Sequence, residues 1–118
     1  MNSITITGRL TKDADLKYTS SGTAVANFTL ASKRKFPDSN GELKSDFLQC
    51  TIWGKQAEAL ASYTRKGSLI LVQGEQRTGS YDDQQGVTHY TSRTHVENFE
   101  FLETKEAIQQ REQRGNQV

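Results

Sequence analysis

In the run Phe47-Leu48-Gln49-Cys50-Thr51-Ile52-Trp53, the side chains suited to molecular recognition alternate with small apolar ones. A strand sends successive side chains to opposite faces, so Leu48, Cys50 and Ile52 form an inward apolar stripe. Phe47 and Trp53 then project outward beside Gln49 and Thr51. Aromatic rings on a wet sheet surface call for a flat partner, and a nucleobase is the commonest; stacking one contributes roughly 1–3 kcal/mol by alanine substitution. Cations stand near these and other rings: Lys33, Arg34 and Lys35 run into Phe36, Lys55 follows Trp53, and Arg77 precedes Tyr81. A single strand carries a charge at every linkage, so cations interleaved with rings suit a path that meets phosphates and bases together.

The remaining reactive residues form no catalytic set. His89 and His95 share one predicted strand without a third ligand at metal spacing, which reads as two ordinary strand histidines. Gly54-Lys55 lacks the upstream glycine of a phosphate loop, no nucleophile elbow occurs, and the carboxylates are scattered. The expectation is binding without chemistry: not an enzyme, with no cofactor and no metal. Two other classes stand beside it. A metal-dependent nuclease on the same scaffold would need clustered carboxylates, and a protein-interaction or assembly module would use the scaffold without DNA affinity.

The chain of 118 residues suits one domain with a modest core, and its formal net charge of +1 means that polyanion affinity must come from local clustering. Cys50 is the single cysteine and falls on the inward stripe, which excludes an intramolecular disulfide and fits a compartment that need not be oxidising. The opening residues alternate polar and apolar without a basic start and an apolar block, so no signal peptide is expected. No stretch approaches the roughly 20 apolar residues of a membrane span. A cytoplasmic location and no membrane association are expected.

These recognition residues need a frame. Alternation predicts a first strand from Ser3 to Arg9, a short extended piece from Leu16 to Tyr18, and a long strand from Thr23 to Ser32. A turn at Asn40-Gly41, with positive φ open to both residues, leads into the strand from Ser45 to Trp53. From Lys55 to Thr64 the pattern becomes helical, with Ala57, Leu60, Ala61 and Thr64 on one face and Gly67 as a stop. Leu69 to Val72 reads as a strand buried on both faces, and Gly74 signals a bulge. A polar hairpin follows, and a last strand from Thr88 to Leu102 changes the parity of its inward residues between Val96 and Phe99, which asks for a bend near Asn98. The order of three strands, one helix and two strands is that of an all-β chain: a five-stranded Greek-key OB-fold barrel with one short helix between strands 3 and 4 and long β-hairpins. The OB domain is expected over residues 1–102, and residues 103–118 form a short polar C-terminal tail, expected to be flexible.

Gly8-Arg9-Leu10, Asp15-Leu16-Lys17-Tyr18, the stretch from Gly22 to Ala31, Trp53-Gly54-Lys55 and Arg65-Lys66-Gly67-Ser68 occur in an order and spacing that resembles the bacterial-type single-stranded DNA-binding proteins, the homo-oligomeric kind with one OB domain per subunit. The resemblance implies sequence-independent binding and protection of single-stranded DNA in replication, recombination and repair. It implies stacking on Phe36, Phe47, Trp53 and Tyr81, three of which are milder than the tryptophans frequent at those places. Lys17, Lys66 and Arg93 match basic positions of the family and join Lys33, Arg34, Lys35, Lys55 and Arg77 as phosphate contacts; Gly79 and Ser80 stand where relatives commonly carry a further cation. The resemblance also implies a homo-oligomer, with a tetramer favoured. Residues 103 to 118 balance acidic and basic side chains and end without the family's acidic tip. That pattern resembles a short member of phage, plasmid or secondary-paralogue type, in which tail-mediated recruitment of repair or replication proteins is weak or absent.

Overall fold

The computed structural model describes residues 1–103 and Gln110. The expected flexible tail therefore lies, apart from Glu103 and Gln110, outside the described residues. Within residues 1–103 six strands and one helix follow in order: β1 (Ile4–Leu10), β2 (Asp15–Tyr18), β3 (Ala24–Lys33), β4 (Ser45–Trp53), α1 (Lys55–Tyr63), β5 (Leu69–Asp82) and β6 (Thr88–Phe101). Most predicted boundaries differ from these by at most a residue at the ends, where hydrogen bonding rather than pattern decides the limit; the strand expected over Leu69 to Val72 instead continues to Asp82, because its pairing with β6 carries on through the polar residues that follow.

The pairings close a ring. β1 pairs antiparallel with β5 on one edge and, through Arg9↔Ala31 and Leu10↔Leu30, with β3 on the other. β3 pairs along its length with β4, β5 with β6, and the parallel contact Cys50↔Thr94 and Thr51↔His95 joins β4 to β6. Five strands thus form the OB barrel, and the short β2 lies outside the ring on the N-terminal half of β3. The helix falls between the third and fourth ring strands, as the element order requires.

Alternation puts the core where a period of two places it. Ile6 and Leu10 of β1, Ala26, Phe28 and Leu30 of β3, Cys50 and Ile52 of β4, and Ile70 and Val72 of β5 are all buried. A fully buried aliphatic side chain contributes about 1.5–3 kcal/mol relative to an exposed one. α1 packs against β2, β3 and β4 with Ala57 and Leu60 buried, and the Thr64 hydroxyl donates to the Leu60 carbonyl where the helix stops. Leu69 and Leu71 are only half-buried, unlike Ile70 and Val72. The run from Leu69 to Val72 therefore has one core face, and its other face lies on the outside of the barrel.

The parity change in the last strand has a local cause. Gln73 pairs with Asn98 but Gly74 pairs with Val96, so Glu97 is an extra residue on β6 and forms a bulge. A side chain at position 74 would collide with the backbone carbonyl of His95, which explains glycine there. Past this bulge β5 and β6 continue as an arm whose residues from Arg77 to Asp82 and from Thr88 to Ser92 are all exposed.

The arm and the β3–β4 hairpin end in the same kind of turn. The Asp38 carboxylate accepts from the N–H groups of Asn40 and Glu42, and Asp83 does so from Gln85 and Val87. Gly41 and Gly86 supply the positive φ, while Asn40 keeps an ordinary negative one, in contrast to a turn with both central residues left-handed. These backbone bonds hold the Asp38 carboxyl below the usual carboxylate range; for Asp83 the bond to His89 is the larger cause and the Val87 N–H the next.

Candidate nucleic-acid interface

The outer face of β4 carries Phe47, Gln49 and Trp53 in one row, with Thr51 covered between them. Phe47 is 67% exposed and Trp53 49%, whereas Cys50 and Ile52 on the opposite face are buried. Six residue steps along the strand separate the two rings, about 20 Å at roughly 3.3 Å per residue. Across the β3–β4 ladder Phe47 faces Ala31, and Trp53 faces Val25. A methyl group opposite Phe47 leaves that ring uncovered.

The other two expected rings stand on the hairpins that rise from this sheet. Phe36 lies in the β3–β4 connection and is 80% exposed; Tyr81, near the tip of the β5–β6 arm, is 57% exposed. Tyr81 is stacked on His89 of the paired strand, with centroids 5.1 Å apart and planes 19° from parallel. The imidazole is held from behind by Asp83, whose Oδ2 lies 2.8 Å from His89 Nε2. Among the described residues none of the four expected rings touches another of the set. They stand apart from one another, two on the barrel wall and two on arms.

The cations divide into free and committed ones. Lys33, Lys35, Lys55 and Lys66 are exposed and make no ion pair among the described residues. Arg34 forms a two-pronged contact with Asp46, Nη2 to Oδ1 at 2.9 Å and Nε to Oδ2 at 3.1 Å, which holds the Asp46 carboxyl below its usual range. Arg77 pairs with Glu75 at 2.6 Å, and Lys17 lies 3.5 Å from Asp15. These three offer a phosphate less than their formal charge suggests.

Arg93 does something else. Its Nη1 donates to Asn27 Oδ1 and Thr51 Oγ1, each at 3.1 Å, and Nη2 to Gln49 Oε1 at 3.2 Å. The guanidinium thus ties β6 to β3 and β4 across the outer face, and it has no carboxylate partner among the described residues. Beside it, burial first and then the charges of Arg77 and Arg93 push the His95 imidazole below its ordinary pKa, so this histidine is neutral at neutral pH. Beneath the same face, burial drives the Cys50 thiol up to about 12, against the opposing effects of the Arg93 charge and a hydrogen bond with Thr94.

Two further rings are exposed on the arm without a sequence signal that singles them out. His89, which the sequence reads as an ordinary strand histidine, is the stacking partner of Tyr81. Tyr90 is 84% exposed, on a strand whose irregular alternation assigns it no face.

The family described as the single-strand binding protein family matches this chain over residues 1–102. A relative from Enterococcus faecalis called single-stranded DNA-binding protein is 49% identical over 111 residues, which is 94% of this chain and 59% of the relative. One from Streptococcus agalactiae called single-stranded DNA-binding protein 3 is 45% identical over 116 residues, 98% of this chain and 84% of the relative. A third, from Streptococcus pneumoniae and again called single-stranded DNA-binding protein, is 48% identical over 105 residues, covering 89% of this chain and 67% of the relative. The chain thus spans under two thirds of the Enterococcus relative and more of the other two.

Proposed function

Because the chain belongs to the single-strand binding protein family, we propose that it binds single-stranded DNA without regard to sequence and protects it during replication, recombination and repair. It is a binding protein and not an enzyme. Bases stack on Phe47 and Trp53 and on the outlying Phe36 and Tyr81, while Lys33, Lys35, Lys55 and Lys66 follow the phosphates, joined by Lys17, Arg34, Arg77 and Arg93 in a weaker role. The observation that carries this reading is the exposure of Phe47 and Trp53 on the outer face of a strand whose other face is core. Duplex DNA hides its base faces and is refused by such a surface.

A homo-oligomer, with a tetramer favoured, goes with this reading. The half-buried Leu69 and Leu71 give the outside of β5 an apolar surface for a second copy. Sedimentation measures the number of copies. A cytoplasmic location also goes with it, supported by a single buried cysteine that needs no oxidising compartment. Among the described residues no helix is long and apolar enough to cross a membrane.

The test is a titration of oligo(dT) against a duplex of equal length across a salt series, read by Trp53 fluorescence. Quenching by oligo(dT) that weakens with salt, with little response to duplex, is the expected result. No response to either ligand would leave the barrel as an assembly module.

A further inference from the structure

We infer that Tyr90 is a fifth base-stacking residue, seating one unpaired nucleobase in the cleft between the β5–β6 arm and the start of β4; this rests on the single-strand-binding reading above. Tyr90 pairs with Ser80 in the β5–β6 ladder, so its ring lies on the face of the arm opposite to the Tyr81–His89 stack. That face looks over the beginning of β4. There a cleft of about 470 Å³ runs between Phe47 and Tyr90, within the size range of roughly 300–1,000 Å³ common for ligand clefts.

The lining tells which occupant fits. Apart from the two rings and Leu48 it is amide and hydroxyl: Gln49, Gln76, Ser92 and Thr94 among others, with no carboxylate. An apolar protein surface would offer the exposed Gln49 and Ser92 no bonds, whereas the edge of a base offers them donors and acceptors. The wall is also held in place, because Gln76 Nε2 donates to Ser92 Oγ at 2.5 Å and Thr94 Oγ1 donates to Gln76 Oε1 at 2.6 Å. A strand lying on Phe47 therefore finds a second exposed ring, Tyr90, lining the same cleft and open to a base. With Tyr81 on the far side, the arm carries a ring on each face and the strand can pass over it.

Binding of fluorescently labelled oligo(dT) to Tyr90→Ala, Tyr90→Leu, Tyr90→Phe and Trp53→Ala, each compared with the parent, tests the assignment. The Tyr90 ring is exposed, so the variants keep the fold, which circular dichroism checks. Tyr90→Ala and Tyr90→Leu should weaken binding roughly 5- to 150-fold with an unchanged salt slope, and Tyr90→Phe should bind as the parent does. If Trp53→Ala weakens binding but the Tyr90 variants do not, Tyr90 is not a platform and the single-strand reading stands. If the parent fails to bind at all, that reading falls and takes the inference with it. A loss in Tyr90→Ala that coincides with a change in sedimentation and is shared by Tyr90→Phe would also overturn it, assigning the ring to contact between copies.

Discussion

Arg93 of β6 reaches over the parallel seam of the barrel to Thr51 of β4, donating to its hydroxyl at 3.1 Å, while that hydroxyl in turn donates to Asn27 of β3 at 2.8 Å. Three strands are joined by one guanidinium at the place where the ring has only two paired positions, Cys50↔Thr94 and Thr51↔His95. Arg93→Ala should lower unfolding stability by about 1.5–3 kcal/mol, the range for hydrogen bonds to a charged group. Arg93→Lys keeps the charge and loses the fork, so it should show much of the same loss in a urea titration while retaining the parent salt slope for DNA.

Trp53→Ala should weaken binding to oligo(dT) by about 1–3 kcal/mol and leave the thermal midpoint close to that of the parent, because half of the ring is already exposed. Anisotropy of a labelled oligonucleotide reads the affinity after the fluorophore is gone. Parent-like affinity would remove the β4 face from the DNA path.

Lys35 and Arg34 are neighbours in sequence and unlike in role. Lys35 is exposed without an ion pair, so Lys35→Ala should flatten the slope of log K against log salt by roughly 0.7 for the lost phosphate contact. Arg34→Ala should change it less, since Asp46 already neutralises that guanidinium. Asp46→Asn releases Arg34 and should tighten binding at low salt. Equal slopes for the two alanine variants would show that the Arg34–Asp46 pair opens on the DNA.

The Cys50 thiol, driven by burial to about 12, should resist thiol reagents at pH 8 in the folded protein and react at once in denaturant. The sign of the linkage follows from the same burial. Above the ordinary thiol pKa of about 8.5 the unfolded chain loses this proton while the folded one keeps it, so stability falls as pH rises. The contribution is at most about 1.4 kcal/mol per pH unit and ends near the folded value. Comparing the pH dependence of unfolding for the parent and Cys50→Ala between pH 8 and 11 isolates it.

The outward setting of Phe47 and Trp53 was legible in seven residues, because a strand's period of two is a local property and the apolar stripe of Leu48, Cys50 and Ile52 declares the inner face. The helix from Lys55 was legible for the same reason, but it stops at Thr64, ahead of the expected Gly67, because Thr64 turns to an extended conformation and caps the Leu60 carbonyl. Gly74 and the parity break near Asn98 were both visible along the chain as separate irregularities. Only the pairing of β5 with β6 makes them one bulge, with Glu97 as the added residue and Gly74 as the space for it.

What lay beyond the sequence was every feature that depends on which distant backbone lies alongside. Arg93 reads as one more cation until β6 is laid beside β4, where Asn27, Gln49 and Thr51 come within its reach. Arg34 is neutralised because the β3–β4 register sets Ser32 opposite Asp46. Tyr90 gains a cleft only once the arm leans over β4. Local alternation states which face a side chain takes, and by itself it determined the strands, the core stripe and the rings available for stacking. Register and ring closure bring together residues that are far apart along the chain, and they alone decided which cations are free and which rings face each other.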